Sequence, residues 1–304
     1  MQQINEAQQL EYIFSQTAVK ELKRKIKSFE SLYPTLRQDT IYTHLKDTLL
    51  IDIPPLRASS FCGQLRTLLP SATLWRSRKV NEFKETLDVS TFWAPSPEKV
   101  SGYGRMNRPS QGVLYTAEHL LTTLAEIDLS KDEKSLLIVY RVKSPLEFIG
   151  LYSDFDKQLS ASATKKLNII NRFIKRSLLA KGEAAYLFSS EFVNEFMKIE
   201  TDGWFYPSVA RHGGTNYCIH PHAADKFELL KIYTTQGVRP GIAGPLLGVY
   251  EADASGTYHY RADPVYANAD YEAFGSVYGG DGSDPDKTPL HERNLIDYPV
   301  IVTR

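Results

Sequence analysis

At Pro70 the hydrophobic pattern of the chain changes kind, and that change limits the fold more than any other feature of the sequence. Before it, Leu22, Ile26 and Phe29 recur at i, i+4 and i+7, and Glu21 precedes Lys25 by one helical turn, so Ile4 to Tyr33 reads as amphipathic helix ended at Pro34. A second helical piece runs from about Tyr42 to Leu50 into the Pro54-Pro55 breaker, and a third is predicted near Phe61 to Leu69. Residues 1–70 therefore read as a helical extension, and 71–304 as a second domain with a different architecture.

Beyond Pro70 short strands and helices mix. Thr73 to Trp75, Gly112 to Tyr115 and the aliphatic run Leu136 to Val142 read as strands, with Thr116 placed to cap a helix through Ile127. Leu167, Ile170, Ile174 and Leu178 form one helical stripe, and Phe192, Phe196 and Ile199 another. Trp204 to Tyr206 and Tyr217 to Ile219 flank a Gly213-Gly214 turn, and Phe227 to Thr234 continues the strand character. A tail rich in Gly, Tyr, Asp and Pro begins at Gly237, with strand candidates at Leu246 to Glu251 and Tyr258 to Tyr260. Strands and helices do not alternate in a βαβ rhythm, which favours an α+β fold over a doubly wound sheet.

Charge and cysteine content exclude several functions. Thirty-six basic residues balance thirty-six acidic ones, so the chain lacks the strong positive field of a dedicated nucleic-acid binder. Cys62 and Cys218 lie far apart without metal-knuckle spacing, which fits a reducing compartment. The polar start and the absence of a bilayer-length apolar run make the cytoplasm the expected location, with no membrane partner. Cys218, His220 and His222 alternate as strand-face residues would, but Pro221 interrupts them and no matching ligand cluster is evident, so no metal site is expected. Asp281-Gly282-Ser283-Asp284 lacks the spacing and closing glutamate of a calcium loop. The basic residues Lys165, Lys166, Arg172, Lys175 and Arg176 read as a solvated helix face.

A set of short motifs in fixed order carries the chemistry. Gly104-Arg105-Met106-Asn107, Gly112-Val113-Leu114-Tyr115 and Leu124-Ala125-Glu126 follow Leu74-Trp75-Arg76 and precede Tyr206-Pro207-Ser208-Val209, with Gly213-Gly214 and Asn216 after it. In this order, over roughly residues 72–236, the sequence resembles the RES-domain family, named for its Arg, Glu and Ser residues. It departs from that pattern at Met106, where the family has an aromatic, and in a long loop from Arg76 to Arg105.

The resemblance implies an α+β domain similar to ADP-ribosyltransferases, with mixed, twisted sheets flanked by helices. It also implies a bacterial toxin that removes NAD by cleaving the nicotinamide–ribose bond. Arg105, Glu126 and Ser208 would be catalytic, and Arg76, Tyr115 and Asn107 would bind NAD. The residue types suit that substrate. Guanidinium groups match a pyrophosphate, a tyrosine stacks on nicotinamide, and a fixed carboxylate stabilises positive charge developing on the ribose. NAD would be substrate, with no true cofactor and with inorganic phosphate or water as the acceptor. The resemblance further implies an antitoxin carrying a helix-turn-helix domain, while the helical extension is a candidate for homodimer formation or restraint. Two other readings stand beside this one: ADP-ribose transfer to a protein target, and a catalytically inactive interaction module. Each residue also has a plainer role. Arg76 or Arg105 could be a surface ion-pair arginine, Tyr115 an edge-strand aromatic, and Ser208 a strand terminator. Glu126 is turned away from the apolar stripe of Leu120, Leu124 and Ile127, and would then be a solvent-facing glutamate.

Overall fold

The computed structural model describes residues 6–61, 63–151, 159–180, 182–197, 200–239, 242–278 and 301–303. The chain opens with helices α1 (Glu6–Ser15), α2 (Val19–Leu32) and α3 (Gln38–Leu49) and the hairpin strands β1 (Leu50–Ile53) and β2 (Leu56–Ser59). Strands β3 (Gln64–Leu68), β4 (Thr73–Val80), β5 (Thr86–Leu87) and β6 (Leu114–Ala117) lead to helix α4 (Leu120–Ile127). Then come β7 (Lys134–Val142), β8 (Leu146–Gly150), the long helices α5 (Ala161–Leu179) and α6 (Glu183–Phe196), β9 (Gly203–Pro207) and β10 (Thr215–Ile219). The series ends with β11 (Phe227–Arg239), β12 (Ile242–Ala252), β13 (Tyr258–Arg261), α7 (Pro264–Tyr278) and β14 (Ile301–Thr303). Helices and antiparallel strands occur in separate runs, which makes the fold α+β.

Two compact units arise, and neither is continuous in sequence. The first comprises residues 1–65, 96–111 and 149–200, and the second 66–95, 112–148 and 201–304. A single division near residue 70 thus differs from what the structure shows, because the amino-terminal helices build their core with helices from much later in the chain. Leu22, Ile26 and Phe29 of α2 are buried, as are Leu167, Ile170, Ile174 and Leu178 of α5. Phe29 meets Phe173 and Phe188 edge-on at 5.6 and 5.7 Å, and Phe188 stacks along α6 on Phe192 at 6.0 Å. Lys165, Arg172, Lys175 and Arg176 are exposed, but Lys166 is buried and donates from Nζ to the carbonyl of Phe14 at 2.6 Å, so one member of the basic face anchors α1.

The second unit is organised by one sheet in the order β14-β3-β8-β9-β10-β6-β4-β7-β11-β12-β13-β5. Its centre is the long antiparallel ladder of β7 and β11, running from Phe227↔Val142 to Gln236↔Lys134 with a register shift between Leu229 and Lys231. Side-chain alternation separates the two faces. Leu74, Leu114, Ile138, Tyr140, Phe205, Tyr217 and Ile219 enter one core with Phe92. Trp75, Leu137, Val139 and Tyr233 enter the other, where Leu120 and Leu124 of α4 and Ala267 of α7 cover them. No helix among the described residues is long and apolar enough to cross a membrane.

Several local expectations are corrected. The first helical stretch is two helices, α1 and α2. The helix predicted near Phe61 to Leu69 is instead strand β3, whose Thr67 and Leu68 are buried; a short apolar run has no period long enough to separate helix from strand, and sheet partners decide it. Thr116 is a strand residue and not a helix cap, since α4 starts only after His119. Ile199 and the stretch 281–284 lie outside the described residues. The aromatic cluster of the first unit predicts that Phe188→Ala costs about 3–5 kcal/mol, read as a lower midpoint in urea unfolding.

Candidate functional site

The site is built where β4 and β6 part. These strands pair at one position, Trp75↔Ala117. Beyond it, Arg76 and Ser77 on one strand and Tyr115 and Thr116 on the other line a cavity of about 270 Å³, closed by Thr123, Glu126 and Ile127 of α4 and by Tyr206 and Asn216 of the β9–β10 hairpin. Two hydroxyls at its walls, Ser77 Oγ and Thr116 Oγ1, are buried and have no hydrogen-bond partner among the described residues. Leaving such a group unpaired costs about 1–3 kcal/mol, a strain that binding sites commonly carry.

Helix α4 is held to this wall at successive residues. The backbone N–H of Ser77 donates to Thr123 Oγ1 at 2.7 Å, and Arg211 Nη1 donates to Thr122 Oγ1 at 3.3 Å. One turn later Glu126 receives three donors on a single oxygen. Ser208 Oγ reaches Oε1 at 2.6 Å, Asn216 Nδ2 at 2.7 Å and the backbone N–H of Val209 at 3.1 Å. Glu126 is itself an exposed residue, whereas Ser208 and Asn216 are buried, so a fixed frame grips a carboxylate at the cavity wall.

The hairpin supplies that frame through register. Asn216 pairs with Ala117 on β6 and with Tyr206 on β9, while Cys218 pairs with Tyr115. With side chains alternating, Tyr115, Ala117, Tyr206 and Asn216 share the face toward α4, and Tyr217 and Ile219 point into the opposite core. The turn closes through Ser208 N–H to the Gly214 carbonyl at 2.8 Å. A Cβ at Gly214 would lie 2.7 Å from Thr122 Oγ1, so only glycine lets the turn approach α4 this closely.

Arg76 contributes to the cavity lining from β4, while its guanidinium lies on the face of the sheet that carries Trp93 and Tyr140. Its Nη1 donates to the carbonyl of Trp93 at 3.0 Å, and burial lowers its pKa from the ordinary arginine value against the opposing influence of Tyr140. Arg105 and Asn107 belong to the first unit. There Arg105 Nη1 caps the carboxyl end of α5 by donating to the carbonyls of Leu178 and Ala180, and its guanidinium lies 5.2 Å from the centre of the Tyr186 ring. Asn107 is buried, and its Nδ2 donates to the carbonyl of Arg108 at 3.1 Å. A wider open depression of about 590 Å³ also lies in this unit, lined by Arg37, Gln38, Asp39, Arg108 and Glu191. Its Arg108 is committed to Glu191 and Glu195, both at 2.6 Å, so the depression has less to offer a ligand than its size suggests. The spacing from Arg108 to α6 left no mark in the sequence, and Asn216 was legible only as part of the serine segment, without a role.

Among the described residues no group of three or more His, Cys, Asp and Glu side chains is placed to hold a metal ion. Cys218 is fully buried, which pushes its thiol well above the ordinary value against a Tyr115 hydrogen bond. His220 packs edge-on against Trp204 at 4.3 Å, and burial lowers its pKa to about 4.

The RES-domain family model matches residues 73–239, more than half of the chain, and the protein belongs to that family. The RES domain is associated with an enzymatic, NAD-related role in toxin–antitoxin systems. Comparison with the curated proteins finds no match.

Two outcomes follow from this geometry. Gly214→Ala forces the turn or Thr122 to move and lowers the melting temperature, with a loss of at least about 1 kcal/mol. Because folding favours the neutral His220 ring, its contribution to stability is complete above pH 6.5 and is lost as pH falls through about 4. Urea titrations between pH 7 and pH 4 should show a weaker pH dependence for His220→Gln than for the wild type.

Proposed function

We propose that this protein degrades NAD by breaking the bond between C1′ of the nicotinamide-bearing ribose and the nicotinamide nitrogen, in the cavity beside Glu126. The reading is carried by the three donors that fix Glu126 Oε1 at a wall shared with Arg76 and Tyr115, in a chain of the RES family. As the bond breaks, its electron pair passes to the pyridinium nitrogen, and nicotinamide leaves as a neutral molecule that needs no proton. Positive charge then develops on the ribose, and the anchored carboxylate stabilises it without reorganising.

The cavity, at about 270 Å³, is at the small end for ligand sites and suits the nicotinamide riboside half of the dinucleotide. Tyr115 stacks on the departing ring, and Arg76 provides permanent positive charge for a phosphate. The family pattern also implies a catalytic role for Arg105 and NAD binding by Asn107, residues that do not line this cavity. The acceptor is inorganic phosphate, giving ADP-ribose-1″-phosphate, or water, giving ADP-ribose and a proton. Loss of cellular NAD accounts for toxicity, which a helix-turn-helix antitoxin restrains.

Purified protein incubated with NAD, with and without phosphate, tests this by chromatographic separation of the products. Glu126→Gln is expected to lower kcat/KM by about 100-fold or more. Equal turnover by wild type and variant would remove Glu126 from the mechanism. Label from NAD stably attached to protein would replace degradation by ADP-ribose transfer, and an intact NAD pool would leave an interaction module.

A further inference from the structure

Ser208 and Asn216 both bond Glu126 Oε1, but their remaining hydrogen-bonding capacity differs. A hydroxyl has one hydrogen and two lone pairs. Ser208 gives its hydrogen to Glu126, and its oxygen accepts the backbone N–H groups of Ala210 at 3.2 Å and Arg211 at 3.0 Å. Its capacity is full, and it does not line the cavity. Asn216 does line it, 4 % exposed on β10 opposite the small Ala117, with Nδ2 at 2.7 Å from the carboxylate. A carboxylate oxygen accepts, so the amide nitrogen must be the end of Asn216 that faces it. Glu126 Oε2 has no hydrogen-bond partner among the described residues, which makes it the oxygen left for a ligand.

We propose that Asn216 is the positioning residue of this site, orienting Glu126 from inside the cavity so that Oε2 is presented to the reacting ribose, while Ser208 stiffens the turn behind it. The proposal rests on the NAD-cleaving reading above. Without Asn216, Glu126 would be held only from the turn, by Ser208 and Val209, and a displacement of about 1 Å can cost about 100-fold in rate. The effect therefore falls on kcat and leaves binding nearly unchanged.

Steady-state turnover of NAD by wild type, Asn216→Ala, Asn216→Asp, Glu126→Gln and the double variant Asn216→Ala/Glu126→Gln tests this, with nicotinamide release followed over long incubations for the slow proteins. Asn216→Ala is expected to lower kcat about 10- to 100-fold with KM within about threefold. Asn216→Asp, of equal size, is expected to lower kcat further, because it sets a carboxylate against a carboxylate. In the Glu126→Gln background Asn216→Ala is expected to have almost no additional effect, the coupling that marks residues acting through one another. Melting curves identify any variant that fails to fold, and if alanine does so the aspartate variant decides. Wild-type kcat in a folded Asn216 variant, or the same fold-loss in both backgrounds, overturns the proposal while leaving NAD cleavage standing. Absence of NAD turnover by the wild type overturns the catalytic reading, and the positioning role with it.

Discussion

Three hydrogen bonds into one oxygen of Glu126 join helix α4 to the β9–β10 hairpin, and the geometry of the cavity depends on that junction. Each donor meets a charged acceptor, a class of bond worth about 1.5–3 kcal/mol when made and costly when one partner is left buried alone. The junction is reinforced one turn earlier, where Thr122 and Thr123 bind Arg211 and the Ser77 backbone, and where Gly214 has no Cβ to hold the turn away. A short helix is thereby held rigidly against a splayed pair of strands.

The splay itself supplies the opening. Had β4 and β6 continued their ladder past Trp75↔Ala117, no space would separate Arg76 from Thr116. Because they diverge, residues from both strands line a polar gap within an otherwise apolar sheet, with an arginine, a tyrosine and a carboxylate around it. Such an arrangement suits a ligand with a flat ring at one end and phosphate at the other.

Periodicity made much of this legible. The stripes of α2 and α5 are buried as their spacing requires, and the aliphatic run Leu136 to Val142 lies at the heart of the sheet because apolar residues on both faces need cover on both. The motif order drew Arg76, Tyr115, Glu126 and Ser208 from four separate segments, and these are the ones the structure gathers around α4. What periodicity cannot carry is contact between distant segments. The pairing of α2 with α5 and α6, the strand nature of β3, the helix-capping bonds of Arg105 and the burial of Lys166 all depend on partners more than fifty residues away. The role of Asn216, though not its place in the serine segment, was illegible for a related reason: it depends on strand register, which places Asn216 across from Ala117, and neither neighbouring residue reveals that register.

The central claim is that a single carbon–nitrogen bond of NAD is broken beside an anchored carboxylate. Proton NMR of NAD incubated with the purified protein follows that bond directly, since bound and free nicotinamide have distinct ring signals. The account predicts that free nicotinamide appears in step with loss of NAD and that Glu126→Gln nearly abolishes its appearance. A spectrum of NAD unchanged by the folded wild-type protein, or equal release by both proteins, would contradict it.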